Sequence, residues 1–283
     1  MKLGITCEGG AFRTIFTSGV LDVFLDQDIM ADYFIGVSAG ICYGISYPSR
    51  QKERNLKILQ TYGTDRRYLS FWNLLNPKNK SIYGIQFAFY DVPHKHILLD
   101  YDALADFKGE IIAVVTNIET GKAEYLPVPR HKAAMDLLLA TCAMPVLFPI
   151  IEYDGGRYMD GGIANPIPYE RAIADGCDKN IVILTRERDY HKSSEKSLDF
   201  AARFYKKYPH FADALKRRSE LYNQSRDRLF QLEREGRLVV ICPEDTAGFK
   251  RTEKDQAKIR ALYDQGIDVA QRELDKIKEY ILR

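Results

Sequence analysis

Ser38, in Gly36-Val37-Ser38-Ala39-Gly40, is the residue of this chain best placed to act as a nucleophile. A G-x-S-x-G sequence between a strand and a helix makes a sharp turn that exposes the serine hydroxyl. Gly36 and Gly40 let neighbouring segments close on that turn. The helix that follows points its first amides, that of Ala39 among them, at any negative charge developing beside Ser38. The chemistry implied is acyl transfer, against the plainer reading of a glycine-rich turn.

Two other places could complete such a site. Gly9-Gly10 follows a short apolar run and offers unobstructed backbone N–H groups, which an oxyanion requires. A dinucleotide loop is the rival reading there, but G-x-G-x-x-G is not met, because Ala11 and Thr14 stand where its second and third glycines would be. Asp160-Gly161-Gly162 follows the β-like Arg157-Tyr158-Met159, so its carboxylate would stand at a strand end and could accept the serine proton directly. The competing reading of Asp160-Gly161 is a hairpin turn. The histidines His94, His96, His131, His191 and His210 all read as surface residues rather than as the base of a serine–acid–histidine triad.

These residues need a frame. Leu3 to Thr6, a glycine turn and Ile15 to Asp26 read as strand, turn and helix, and the form recurs with Tyr33 to Gly36, Ser38-Ala39-Gly40 and Ile41 to Ile45. Arg50 to Tyr62 reads as a surface helix, and Tyr68 to Tyr90 as irregular. Ile111 to Val115 reads as a central strand with Ala123 to Val128 as its hairpin partner, and Ala133 to Thr141 as a helix. Ile181 to Leu184 and Leu238 to Ile241 are further buried strands. Ser194 to Arg237, broken near Pro209, and Thr252 to Leu282 are charged and helical. Alternating strands and helices predict an α/β sandwich with a mainly parallel sheet.

With 283 residues, 46% of them hydrophobic, the chain can bury one substantial core. Its 41 Lys and Arg against 39 Asp and Glu give a net charge of +2, which argues against nucleic acid as a partner. Five scattered cysteines without a C-x-x-C pair point to reduced thiols in a cytoplasmic protein, with no metal site. No signal peptide or membrane span is expected, so any membrane contact would be peripheral.

The glycine loop, the serine elbow and the D-G-G motif, in this order, resemble the patatin-like phospholipases over residues 3 to 185. Ala140-Thr141-Cys142-Ala143-Met144-Pro145-Val146-Leu147-Phe148-Pro149 and Asp160 to Pro166, a D-G-G-x-x-N-P ending, agree with that family too. The resemblance implies a patatin-like three-layer sandwich with a helical C-terminal elaboration, divided as a catalytic domain over 1–190 and an elaboration over 191–283 packed on it. It implies Ser38 as nucleophile, Asp160 as base, Gly9, Gly10 and Ala11 as oxyanion-loop backbone, and Arg13 at the family's basic position, with no cofactor. At Ala11 and Thr14 the chain departs from the family's glycines. Ala11 keeps its N–H as a donor at negative φ, whereas Thr14 would be awkward at positive φ.

The expected activity is cleavage of carboxylic esters of lipids through an acyl-enzyme. A non-catalytic lipid- or acyl-binding protein and a histidine-dependent α/β-hydrolase esterase are the alternatives. Phe71, Trp72, Leu74, Leu75, Tyr83, Phe87, Phe89 and Tyr90 read either as a lid or acyl-pocket wall, or as core. Phe200, Phe204, Tyr205, Tyr208 and Phe211, mixed with Lys206, Lys207, Lys216, Arg217 and Arg218, read either as an ordinary amphipathic helix or as a face for anionic membranes.

Overall fold

The computed structural model describes residues 1–193 and 196–283, so Ser194 and Glu195 of the charged tract lie outside it. In chain order the elements are β1 (Leu3–Cys7), α1 (Ile15–Asp26), β2 (Tyr33–Val37), α2 (Ala39–Gly44), α3 (Arg54–Tyr62), α4 (Tyr101–Asp106), β3 (Glu110–Asn117), β4 (Ala123–Pro127), α5 (Ala134–Thr141), β5 (Ile151–Tyr153) and β6 (Gly156–Asp160). They continue with α6 (Tyr169–Ala174), β7 (Lys179–Ile183), α7 (Lys196–Phe204), α8 (Pro209–Arg234), β8 (Val239–Ile241), α9 (Gln256–Arg272) and α10 (Leu274–Leu282).

One eight-stranded sheet has the order β5-β6-β3-β2-β1-β7-β8, with β4 on β3. The pairings among β3, β2, β1, β7 and β8 are parallel, and those of β4, β5 and β6 antiparallel. Both faces of the parallel part are buried, so its strands are apolar on both sides. Phe34 of β2 faces a core shared with α1, α2, α5 and α9, while Tyr33, Ile35 and Val37 face the other side, against Ala172 of α6. Further along that second face, Val182 and Val240 meet Tyr222 and Leu229 of α8. The expected three-layer sandwich with a mainly parallel sheet is borne out.

The C-terminal helices are bound into this frame through glycines. A methyl group on Gly19 of α1 would lie 2.2 Å from the Tyr263 carbonyl oxygen of α9, and one on Gly266 of α9 would lie 2.2 Å from that of Phe16. Tyr263 also donates to buried Asp22 at 2.6 Å. β8 adds a strand to the sheet, and Pro209 takes the first turn of α8, where a missing N–H costs nothing.

Several local expectations shift. Helix α3 buries Arg54, Asn55, Leu56, Ile58 and Leu59, so it is not a plain surface helix. The segment expected to be irregular through Tyr90 is ordered around Asn79, whose side chain bonds Asn73, Ser81, Tyr83 and Ile85. Its last part then winds into an eleven-residue π-helix, Gln86–His96, with Pro93 inside. β5 and α6 have no counterpart in the sequence reading, being only three and six residues long. The Asp-Gly hairpin of this region is Asp154-Gly155, both at positive φ between β5 and β6, and not Asp160-Gly161.

Candidate active site

One strand brings Ser38 and Asp160 together. β4 occupies one edge of β3. On the other edge β2 pairs as far as Val37↔Val114, and β6 takes over at the next residue with Asp160↔Val115. The chain leaves β2 at Ser38, beside the end of β6. Gly161 permits the close approach, because a Cβ there would lie 2.1 Å from the Val114 carbonyl oxygen.

Ser38 sits at φ 54° and ψ −133°, a conformation that costs roughly 1–3 kcal/mol for a non-glycine residue. Its amide donates to Thr141 Oγ1 at 2.9 Å, and the Thr141 hydroxyl donates to the Val114 carbonyl at 2.5 Å. Its own carbonyl accepts from Cys42 N at 3.1 Å. Gly40 lies against β1, where a Cβ would stand only 2.4 Å from the Cys7 carbonyl oxygen, and Gly36 packs on Ile41.

Ser38 Oγ donates to Asp160 Oδ2 at 2.6 Å. Asp160 Oδ1 accepts from Gly162 N at 2.8 Å, and the backbone of Asp160 is held by Ala143 O and Thr116 Oγ1. The residue is 5% exposed. Burial pushes its carboxyl above the ordinary carboxylate range, while the Ser38 hydroxyl and the Arg218 charge pull it back. A carboxylate so placed can take a proton from Ser38 without a histidine between them. Of the histidines, His94 is half-buried against the Tyr101 hydroxyl and the other four are exposed; none lines a cavity at Ser38.

The Gly9–Ala11 turn faces Ser38: a Cβ on Gly9 would lie 2.9 Å from Ser38 Cβ. Thr185 Oγ1 anchors the turn by donating to Gly9 O at 2.9 Å. Phe12 N donates to Arg251 O and Arg13 N to Gly10 O, whereas no acceptor among the described residues takes the amides of Gly9 or Gly10. Ala11 adopts φ 51°, and Thr14 lies in the ordinary helical region at φ −62°. The expectation of negative φ at Ala11 and strain at Thr14 is thus reversed: the positive φ falls at the smaller side chain, and Thr14 starts α1.

Two cavities meet at Ser38, and both are also lined by Ala11 and Met144. One is apolar, with Phe12, Tyr43, Tyr68, Tyr83, Phe89 and Phe148 in its wall. The aromatic segment therefore divides. Tyr68, Tyr83 and Phe89 wall this cavity, whereas Phe71 and Trp72 are 81% and 70% exposed. The other is polar and is lined by Glu8, Arg13, Asp160, Arg186, Lys192, Arg218 and Arg251.

Thr141 and Arg218 are site residues that sequence reasoning misses. Thr141 lies in the small-residue block, which is its only signal. Arg218 reads in sequence as one cation of a segment that is either an ordinary amphipathic helix or a membrane face, but its Nε donates to Gly162 O at 3.0 Å. Arg186 and Arg251 lie outside any motif. All five cysteines are free, and no cluster of three metal-ligating side chains exists among the described residues.

Residues 5–173 match the model of the patatin-like phospholipases, and residues 208–282 match a domain of unknown function. The chain is 26% identical over 189 residues to a cGAMP-activated phospholipase of Pseudomonas aeruginosa, covering 58% of this chain and 53% of that protein. It is 25% identical over 203 residues to the uncharacterized protein YjjU of Escherichia coli, covering 65% and 52%. The chain thus spans about half the length of these curated relatives. The crystal structure of VipD from Legionella pneumophila superposes with a TM-score of 0.54 at 14% identity, over 97% of this chain and 67% of that one, a likeness of fold. With its family match covering more than half its length, the chain belongs to the patatin-like phospholipases.

Proposed function

We propose that the chain is a serine acyl hydrolase that cleaves carboxylic esters of lipids through Ser38 and Asp160. The observation that carries this reading is the 2.6 Å hydrogen bond from Ser38 Oγ to a buried carboxylate at the mouth of an apolar cavity. Asp160 takes the hydroxyl proton as Oγ attacks the ester carbonyl. The amides of Gly9, Gly10, Ala11 and Ala39 receive the oxyanion, and the proton passes to the leaving alkoxide. Water then gives a proton to Asp160 as it attacks the acyl-enzyme, releasing the fatty acid and restoring Ser38.

Arg13 serves this loop through its backbone, since its amide closes on Gly10 O. Contact with lipid would be made from outside the bilayer, because no helix among the described residues is long and apolar enough to cross a membrane. Exposed Phe71, Trp72 and Leu75, together with Phe200 and Phe204, supply the apolar rim for it. Tyr205, beside Phe204 in sequence, accepts through its hydroxyl oxygen from Val146 N in the loop that carries Phe148. The free thiols favour a cytoplasmic setting.

The test is fatty-acid release from phospholipid and neutral glyceride in mixed micelles. Wild type should release acid and Ser38→Ala should not. Equal release by both would move the chemistry elsewhere.

A further inference from the structure

Among the described residues, the lining of the polar cavity beside Ser38 has more cations than carboxylates, and two of the cations, Lys192 and Arg251, already have interactions of their own. Arg13, Arg186, Lys192, Arg218 and Arg251 line it, against the carboxylates of Glu8 and Asp160. Glu8 is occupied by neutral donors: Thr185 N at 2.6 Å, Thr185 Oγ1 at 3.1 Å and the Tyr222 hydroxyl at 2.6 Å. Asp160 is engaged by Ser38 and Gly162.

Two of the arginines have a nitrogen that no described residue meets. Arg13 is 7% exposed, and its Nε meets no acceptor among the described residues; the same is true of buried Arg186 Nε. A buried guanidinium nitrogen without a partner is costly, and both arginines line this cavity. The cations also act on one another: burial first, then Arg186 and Arg251, lowers Arg13 to about 10. An anion entering here would relieve that repulsion.

We propose that this cavity binds the phosphate of a lipid headgroup, making net-anionic glycerophospholipids the preferred substrates. The inference rests on the reading of Ser38 as the nucleophile and deepens it. Ser38 stands where the two cavities join, so a scissile carbonyl held there places the acyl chain among Tyr43, Tyr83 and Phe148. The glycerophosphate, a few bonds away, then falls among the arginines. Four of the five cations lie beyond residue 173, where the patatin-like match ends. Headgroup choice is therefore set by the C-terminal third.

The experiment has two arms. In neutral detergent micelles, kcat/KM is compared for phosphatidylglycerol and phosphatidylcholine with identical acyl chains, in wild type, Arg251→Gln and Arg186→Gln. Wild type should favour the anionic lipid by about tenfold or more, and each variant should move the ratio towards one. Arg251 is exposed, so its variant keeps the test alive if Arg186→Gln fails to fold. In the second arm sn-glycerol 3-phosphate and inorganic phosphate are titrated calorimetrically into wild type. Tighter binding of glycerol 3-phosphate, weakened in Arg251→Gln, identifies the headgroup. Binding of inorganic phosphate alone, together with a ratio of one, overturns the proposal. So does brisk hydrolysis with a ratio near one in folded wild type and no binding of either anion. Binding of glycerol 3-phosphate without hydrolysis of any ester would instead retain the anion site and overturn the acyl-hydrolase reading.

Discussion

The two sides of Ser38 are built by different parts of the chain under different physical rules. The apolar side is assembled from residues between Ala11 and Phe148, which pack as core residues do and need no partner beyond each other. The polar side draws Arg186, Lys192, Arg218 and Arg251 from the C-terminal third and leaves Arg13 Nε and Arg186 Nε without an acceptor among the described residues. Burial alone explains the first cavity. The second gathers like charges that burial alone does not explain, so the proposed choice of headgroup belongs to it.

The difference yields tests. Asp160→Asn keeps the shape shared by both sides but removes the proton acceptor, and turnover should fall by about ten-thousand-fold with the fold intact. Circular dichroism and kcat on one ester check it. On the apolar side alone, Ala88→Leu adds bulk to the cavity wall. Turnover of long acyl chains should drop by about 10- to 100-fold relative to short ones, while the ratio between headgroups stays constant. A changed headgroup ratio would show that the two cavities are not independent.

Gly266→Ala probes how the C-terminal third is held. Helix propensity favours the alanine, but its methyl would strike the Phe16 carbonyl, so denaturant unfolding should show a loss of about 1–3 kcal/mol. The smallest effect couples the two sides. Because burial raises the Asp160 pKa, the acid limb of kcat/KM should lie above the ordinary carboxylate value, with activity lost as pH falls through it. Since Arg218 lowers that pKa, Arg218→Gln should move the limb upward.

What can be read from the sequence follows the same division. Ser38, Asp160 and the Gly9–Ala11 turn are bound to short local patterns, because a tight turn and a close backbone approach restrict residue type at fixed spacing. Strands β1, β2, β3 and β7 are legible as runs of buried apolar residues. Arg218 is not, since one arginine among several on a charged helix looks alike whether it meets solvent or Gly162; orientation about the helix axis decides. Arg186 and Arg251 reach the cleft only through tertiary packing. The positive φ of Ala11 is equally hidden, because departure from a glycine pattern does not reveal which position takes the left-handed turn.

The most direct test of the account is covalent labelling by a fluorophosphonate probe, read by intact mass on wild type and Ser38→Ala. The account predicts one adduct on wild type, located at Ser38, slow labelling in Asp160→Asn and none in Ser38→Ala. A folded wild type that stays unlabelled, or an adduct that persists in Ser38→Ala, would contradict it.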